Sequence, residues 1–415
     1  MHGHHSIEIQ DPGAVGLPKA IKIGAYVSIG LGFILLLNSM FESDATRLRG
    51  FLALLHAYYF FFLLAIGGLV FTCIQYAASA RWSIVVRRFA EGFASFLPIS
   101  FVVFLFIATV GYGVLYDLDS PYREAIGKGG VYFSDSKDDL IIKSDFLSQT
   151  AVLAKGIAFY ILWFLLAWKI RSNSLKQDSA AKFDKALYRD NQKWSIIFLI
   201  TFMYTFTIHA IDLLMALEPK WFSTMFGVYI FSGMFLSTLA LMGVITVLMR
   251  RHKSLQTLIQ SRHLWDLGTW TMAFSCFMMY IGFSQYMLIW YANIPEETYY
   301  LIERTNGGWE NVFVSLVLFK WIIPFCCLMP IVFRGNPKVI VPVAFAIFIG
   351  QWLDLYWVIY PTFFSTVVFP GVAEIGAFLF MFGGFALALS LVYARHSVCA
   401  IGDPYFKMSV EGSYA

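Results

Sequence analysis

The sequence predicts an all-α, polytopic membrane protein of about ten transmembrane helices, and three observations carry that prediction. The chain is 59% hydrophobic and 13% charged, with a mean hydropathy of +0.68; the charged share is roughly half that of a soluble domain. It holds ten apolar runs long enough to cross a hydrocarbon core of roughly 30 Å as helices. Those runs lack the two-residue alternation of a membrane β-barrel.

The runs fall at approximately 21–41, 50–77, 93–115, 149–169, 194–215, 226–249, 265–291, 311–333, 339–359 and 371–394. This division gives an N-terminal tail at 1–20, an integral membrane domain at 21–394 and a C-terminal tail at 395–415. About two-thirds of the 30 Lys and Arg residues fall on the side that would hold both tails. By the positive-inside rule that side is cytoplasmic. The net charge of +4 therefore describes a topology, and no clustered basic face points to nucleic acid.

Taken in chain order, the tail "MHGHH" carries three His without a carboxylate or Cys beside it, a weak metal-binding pattern. Residues 1–20 show no small-residue cleavage pattern, so the first span is expected to remain in the mature chain. The second span carries His56 and the fourth Lys155. The outer loop between the third and fourth spans, 116–148, mixes turn formers with Tyr, Phe, Leu and Ile able to pack on a neighbour. The inner connection 170–193 is polar and helix-compatible, a solvated amphipathic connector or a docking site for partners or anionic lipid. The fifth span carries His209 and Asp212, the seventh Gln285, the eighth Lys320, the ninth Asp354 and the tenth Glu374. In the outer connections Pro219 and Pro295 read as helix stops, and Trp221, Phe222, Tyr299, Tyr300 and Trp309 as an interfacial belt.

The ionisable residues are the informative ones. An unpaired charge at the bilayer centre costs at least about 2.5–3.5 kcal/mol, so such groups should pair, face the bundle interior or line water. At 1.5 Å per helical residue, His56, Lys155, His209 and Asp354 lie about 9 Å below the outer end of their spans. Asp212 and Glu374 are slightly shallower, Lys320 is nearer the midplane, and the inner half looks poorer in such groups. The expectation is that His56, Lys155, His209, Asp212, Lys320, Asp354 and Glu374 converge on one hydrated chamber, a candidate proton pathway. His209 and Asp212, three apart on one helix face, are expected to meet. The competing reading of any one of them is interhelical glue. The five Cys form no C-x-x-C, C-x-x-C-H or ferredoxin-type run, and only His56 and His209 share a depth suited to haem ligation. The sequence thus implies no redox centre of its own. Cys326 and Cys327, in an apolar run, read as small packing residues.

Four segments, "HAYYFFFLLAIGGLVF" (56–71), "ALEPKWFSTMFGVYIFSG" (216–233), "FSQYMLIWYANIPEETYY" (283–300) and "DLYWVIYP" (354–361), carry a family resemblance. The chain resembles the NrfD and polysulfide-reductase membrane-subunit superfamily, and within it the F-lettered large membrane subunits of bacterial alternative complex III, a quinol:electron-acceptor oxidoreductase. The resemblance implies two four-helix bundles flanked by two further helices, in the bacterial cytoplasmic (inner) membrane. It implies as partners a sister NrfD-like membrane subunit, a periplasmic iron–sulphur protein, multihaem and monohaem c-type cytochromes, small membrane subunits and lipids. It places quinol oxidation in the sister subunit and leaves quinone binding by this chain open. The alternatives are a quinone-binding subunit proper and a stand-alone proton-coupled secondary transporter. Weighing against the latter, no pair of broken helices at matching midplane positions stands out.

Overall fold

The computed structural model describes residues 11–16, 18–41, 43–116, 146–179, 184–218 and 220–412. Ten helices are long and apolar enough to cross a membrane: α1 (Lys19–Phe41), α2 (Asp44–Ala77), α3 (Ile84–Leu115), α4 (Gln149–Ser179), α5 (Lys185–Leu217), α6 (Phe226–Arg250), α7 (Ser261–Ala292), α8 (Trp309–Leu328), α9 (Pro337–Ile359) and α10 (Val372–Tyr393). Among the described residues the only β-type pairing is a single bridge, Ala14 to Ser397. The expected spans are all present, and several helices run past them. α4 and α5 consume most of the 170–193 connection, and α3 begins at Ile84 rather than near residue 93. The metal-site reading of "MHGHH" and nearly all of the 116–148 loop lie outside the described residues.

α2 to α5 pack as one four-helix bundle and α6 to α9 as a second; α2 joins them through α6 and α9, and α1 and α10 form a flanking pair against α2. α2 is the shared axis because its sequence is apolar on every face, the pattern of a buried helix, and 94% of its most apolar window is buried. The corresponding figure for α1 is 17%, so α1 is held mainly along one seam. That seam depends on glycines. A Cβ built on Gly32 would lie 2.6 Å from the Gly376 carbonyl oxygen, and one on Gly383 would lie 2.6 Å from that of Ala25. Small residues are what allow helix backbones to approach this closely in lipid, where packing rather than hydrophobicity drives association.

Local chemistry sets the helix ends and breaks. Ser43 and Thr46 form a capping box at the start of α2, and the Asp184 carboxylate accepts from the Ala186 amide at 2.8 Å to start α5. α7 stops because Asn293 turns left-handed at φ 48°, a C-terminal role that Asn fills readily. Pro295 therefore does not end a helix: it occupies the first turn of a short one, Pro295–Glu303, where a missing N–H costs nothing. Pro219 lies outside the described residues. In α8, Pro324 has no N–H for the carbonyl one turn back, and the preceding segment Leu318–Ile322 widens into a π-turn around Lys320.

The outer aromatics are packed more deeply than a belt requires. Trp221 is buried and stacks on Tyr300 at 3.7 Å between ring centroids, and Trp309 is buried with its indole N–H donating to the Phe364 carbonyl at 3.1 Å. Phe222 alone of the expected set is strongly exposed, and Tyr299 is half-buried. Cys326 is exposed on the outside of α8, and Cys327 is half-buried.

Candidate functional site

In the first bundle α4 presents Lys155 and α5 presents Asp212, with Nζ 2.6 Å from Oδ1. Lys155 also donates to the Phe146 carbonyl at 3.0 Å. His209, one turn inward of Asp212, does not meet it. Its Nε2 lies 2.9 Å from the Tyr58 hydroxyl, which lies 2.8 Å from the Tyr160 hydroxyl, which lies 3.0 Å from Ser100 Oγ. The direction of this chain follows from counting protons. Ser100 donates to the Leu97 carbonyl at 2.8 Å and has no second proton, so it accepts from Tyr160. Tyr160 in turn accepts from Tyr58, and Tyr58 accepts from His209. The imidazole therefore carries its proton on Nε2, and four donors point one way across α5, α2, α4 and α3. The expected carboxylate–imidazole contact is replaced by two separate partnerships, because Lys155 satisfies Asp212 from the facing helix.

In the second bundle Lys320 on α8 sits with Nζ 2.7 Å from Asp354 Oδ2 and 2.9 Å from Gln351 Oε1, both on α9. Tyr229 on α6 donates to the other Asp354 oxygen. Ser237 Oγ lies 2.7 Å from the Gly233 carbonyl and 3.2 Å from Gln351 Oε1. The side chains of Lys320 and Asp354 are 0% and 2% exposed, so both charges rely on each other and on these dipoles. Two glycines make the room. A Cβ on Gly233 would come within 2.9 Å of Lys320 Nζ, and one on Gly350 within 3.2 Å of the Lys320 backbone nitrogen.

The remaining candidates form a third set at the seam of α2, α9 and α10. Glu374 accepts from Arg49 Nε at 2.8 Å, from the Tyr360 hydroxyl at 3.2 Å and, through its other oxygen, from the Gly371 amide at 2.7 Å. It thereby closes the first turn of α10. His56 Nε2 lies 2.9 Å from the Trp352 carbonyl, its ring among Trp352, Tyr356 and Tyr360. Among the described residues no hydrogen bond or ion pair joins one set to another. Six of the seven residues are thus buried and Lys155 is half-buried, each with a bonded partner, as their cost in lipid demands, but they do not converge on one chamber.

The inner half corrects a second expectation. Because α3 starts early, Arg87, Arg88 and Glu91 are buried at its inner end. Arg87 pairs with Asp403 at 2.8 Å and lies 3.9 Å from the Tyr76 ring centroid; Arg88 pairs with Asp178 and donates to the Cys399 carbonyl at 2.8 Å. The C-terminal tail, with Phe406 and Val410 buried, is held against the inner end of α3 by these pairs and at the start of α7 by Arg262 and His263, each 3.0 Å from the Ser409 carbonyl oxygen.

A scan of protein-family models finds no match to this chain, and a search of the curated proteins finds none. The internal comparison is more telling. α5 ends in "HAIDLLMALEP" (209–219) and α9 in "QWLDLYWVIYP" (351–361). His209 matches Gln351, Asp212 matches Asp354, and Leu213, Leu355 and the closing prolines coincide. In each bundle the third helix supplies the Lys, the fourth the Asp, and the first a Tyr that bonds to the fourth. Sequence reasoning missed Tyr58, Tyr160, Tyr229 and Gln351. The aligned segments were the available signal, since they place Gln351 opposite His209.

Proposed function

We propose that the chain is an integral scaffold subunit of a respiratory quinol:electron-acceptor oxidoreductase of the alternative complex III type, in the bacterial cytoplasmic membrane, and that its two Lys–Asp pairs handle protons. The observation that carries the proton role is the Lys–Asp pair repeated in each bundle, fully buried in the second and with a half-buried lysine in the first, because charge is retained at a matching place twice where an apolar pair would pack at less cost. The quoted family segments and the arrangement of two bundles with a flanking pair support the scaffold role. No redox centre is assigned to the chain. Electrons would pass through the iron–sulphur and cytochrome partners, with the sister subunit, small membrane subunits and lipids completing the assembly.

In this reading the relay in the first bundle runs from His209 through Tyr58 and Tyr160 to Ser100, beside Lys155–Asp212, and that in the second uses Tyr229, Lys320 and Asp354. Each hydroxyl can give one proton while taking another. His56 and Glu374 stand apart as packing and capping groups. The test is Asp212→Leu and Asp354→Leu in the assembled complex, reading proton release per electron during quinol oxidation. The expected result is impaired translocation or turnover with subunit composition unchanged; unaltered coupling in both variants retires the proton role.

The duplication also favours a second reading, a proton-coupled carrier acting alone, since internal repeats are common in such proteins. Affinity purification from native membranes separates the two. A carrier emerges alone or as a homomer, whereas the respiratory subunit brings multihaem cytochromes and iron–sulphur protein with it.

A further inference from the structure

The two bundles differ in one respect that the duplication does not explain. In the second, α7 packs against the inner part of α8, Leu318–Leu328, and makes little contact with its outer part, Trp309–Val317. Between the splayed outer halves lies a cavity of about 370 Å³, within the size range of small-molecule sites. Tyr300, Leu301 and Thr305 of the outer connection line its outer side, Trp357 and Tyr229 back it, and Lys320 and Met278 lie at its inner end. Its lateral edge is formed by Phe283 and Tyr286, which are 52% and 40% exposed on the surface that faces lipid.

These features restrict what fits. The lining is apolar and the lateral edge is aromatic and exposed, so the occupant arrives from the bilayer. The wall is overwhelmingly apolar, and a phosphodiester or carboxylate would enter it without its hydration. Yet one polar group on the wall is unspent. Lys320 at the inner end is fully enclosed and engaged by Asp354 and Gln351. The Gln285 amide, on the α7 wall, makes no hydrogen bond among the described residues.

We propose that this cavity binds a neutral, membrane-dissolved molecule that enters between α7 and α8 and places a carbonyl oxygen against the Gln285 amide. Ring carbonyls of a prenylated or alkylated quinone and ester carbonyls of a neutral glyceride share this chemistry. The assignment stands on the cavity's walls and donor and does not depend on membership of a respiratory complex.

Gly282 supplies the means of testing it. A Cβ there meets only the Tyr229 ring, at 3.4 Å, and otherwise faces the cavity. Gly282→Leu therefore fills the site while replacing a poor helix former with a good one. The full chain, in its native complex or in nanodiscs, would be irradiated with three photoreactive probes: an alkyl-benzoquinone, a diacylglycerol and a long-chain fatty acid. Adducts would be mapped by mass spectrometry. The expected result is labelling of α7 or α8 at the cavity by at least one neutral probe, with the labelling one identifying the source. Gly282→Leu should reduce it about tenfold with no loss of thermal stability, and Gln285→Leu should weaken it by a smaller factor. Labelling undiminished in Gly282→Leu, no labelling by either neutral probe, or a fatty acid that labels as strongly as the neutral probes, overturns the assignment.

Discussion

Removing one charge of the Lys320–Asp354 pair should cost more than removing both. The pair is buried, its Nζ–Oδ2 distance is 2.7 Å, and its side chains are 0% and 2% exposed. Lys320→Met leaves Asp354 with only the Tyr229 hydroxyl, and Asp354→Leu leaves the ammonium with only Gln351. Breaking a buried pair from one side costs about 3–5 kcal/mol, because an uncompensated charge stays behind. The double variant Lys320→Met, Asp354→Leu carries no stranded charge. It leaves the Tyr229 hydroxyl without its acceptor, about 1–3 kcal/mol, while Gln351 Oε1 keeps Ser237 at 3.2 Å, and better apolar packing offsets part of the loss. It should therefore be at least as stable as either single variant. Lys155–Asp212 is the internal control: the Lys155 side chain is 21% exposed, and a neighbour that reaches solvent loses less when its partner goes. Asp212→Leu should therefore cost less, about 1–2 kcal/mol, whereas Lys155→Met strands a carboxylate that is 2% exposed and belongs with the larger losses. The assay is reversible unfolding of the purified chain in mixed micelles, following tryptophan fluorescence for the wild type, four singles and two doubles. Additive losses in the Lys320–Asp354 double variant would refute the reasoning, since they would mean that the two residues do not compensate each other.

Two further outcomes follow from packing and burial. Gly32→Leu should release α1, because a Cβ there already collides with the backbone of α10; a disulfide between engineered cysteines on α1 and α10 should form in the parent and fail in the variant, and its persistence would contradict the glycine seam. Burial pushes the Cys399 thiol from an ordinary 9.0 up to about 12, with Arg88 opposing the shift. The unfolded thiol ionises first, so this group lowers stability as pH rises above about 9 and through the folded value. In a background where Cys399 is the sole cysteine, iodoacetamide at pH 8 should modify it only after unfolding, and modification of the native protein at a free-thiol rate would count against the packed tail.

The membrane architecture was legible because lipid imposes a strict rule: a helix must satisfy its own backbone, and about twenty apolar residues announce it. Helix ends were less legible. Arg87, Arg88 and Glu91 looked like loop charges because hydropathy falls where they occur, yet α3 begins before them and the tail supplies Asp403 to neutralise one. That the ionisable residues would be buried and paired could be argued from cost alone. Which one pairs with which could not. Spacing on α5 put His209 beside Asp212, but the facing helix decided the outcome by offering Lys155 to the carboxylate and Tyr58 to the imidazole. Likewise Trp221 and Tyr300 had the composition of a belt, and only the stack between them shows that they build the interior of the outer cap.

The repeated plan explains why one chamber was the wrong expectation. If two related four-helix units each keep a Lys on the third helix and an Asp on the fourth, similar depth follows from common construction rather than from convergence. Depth in the membrane then reports on the unit, and says nothing about distance across it. The same plan isolates what is particular to each half. The first bundle has a hydrogen-bonded string, because His209 can donate where its counterpart Gln351 is engaged with Lys320. The second has a π-turn that places Lys320 fully inside, and an outer gap between α7 and α8 through which the bilayer reaches that lysine's surroundings. A shared charge pair with different approaches, along hydroxyls in one half and from lipid in the other, is what duplication followed by divergence would produce. It also fixes the order in which the two halves should be dissected. Asp212 variants interrogate the string, and Gly282 variants interrogate the lipid-facing approach without touching either charge pair.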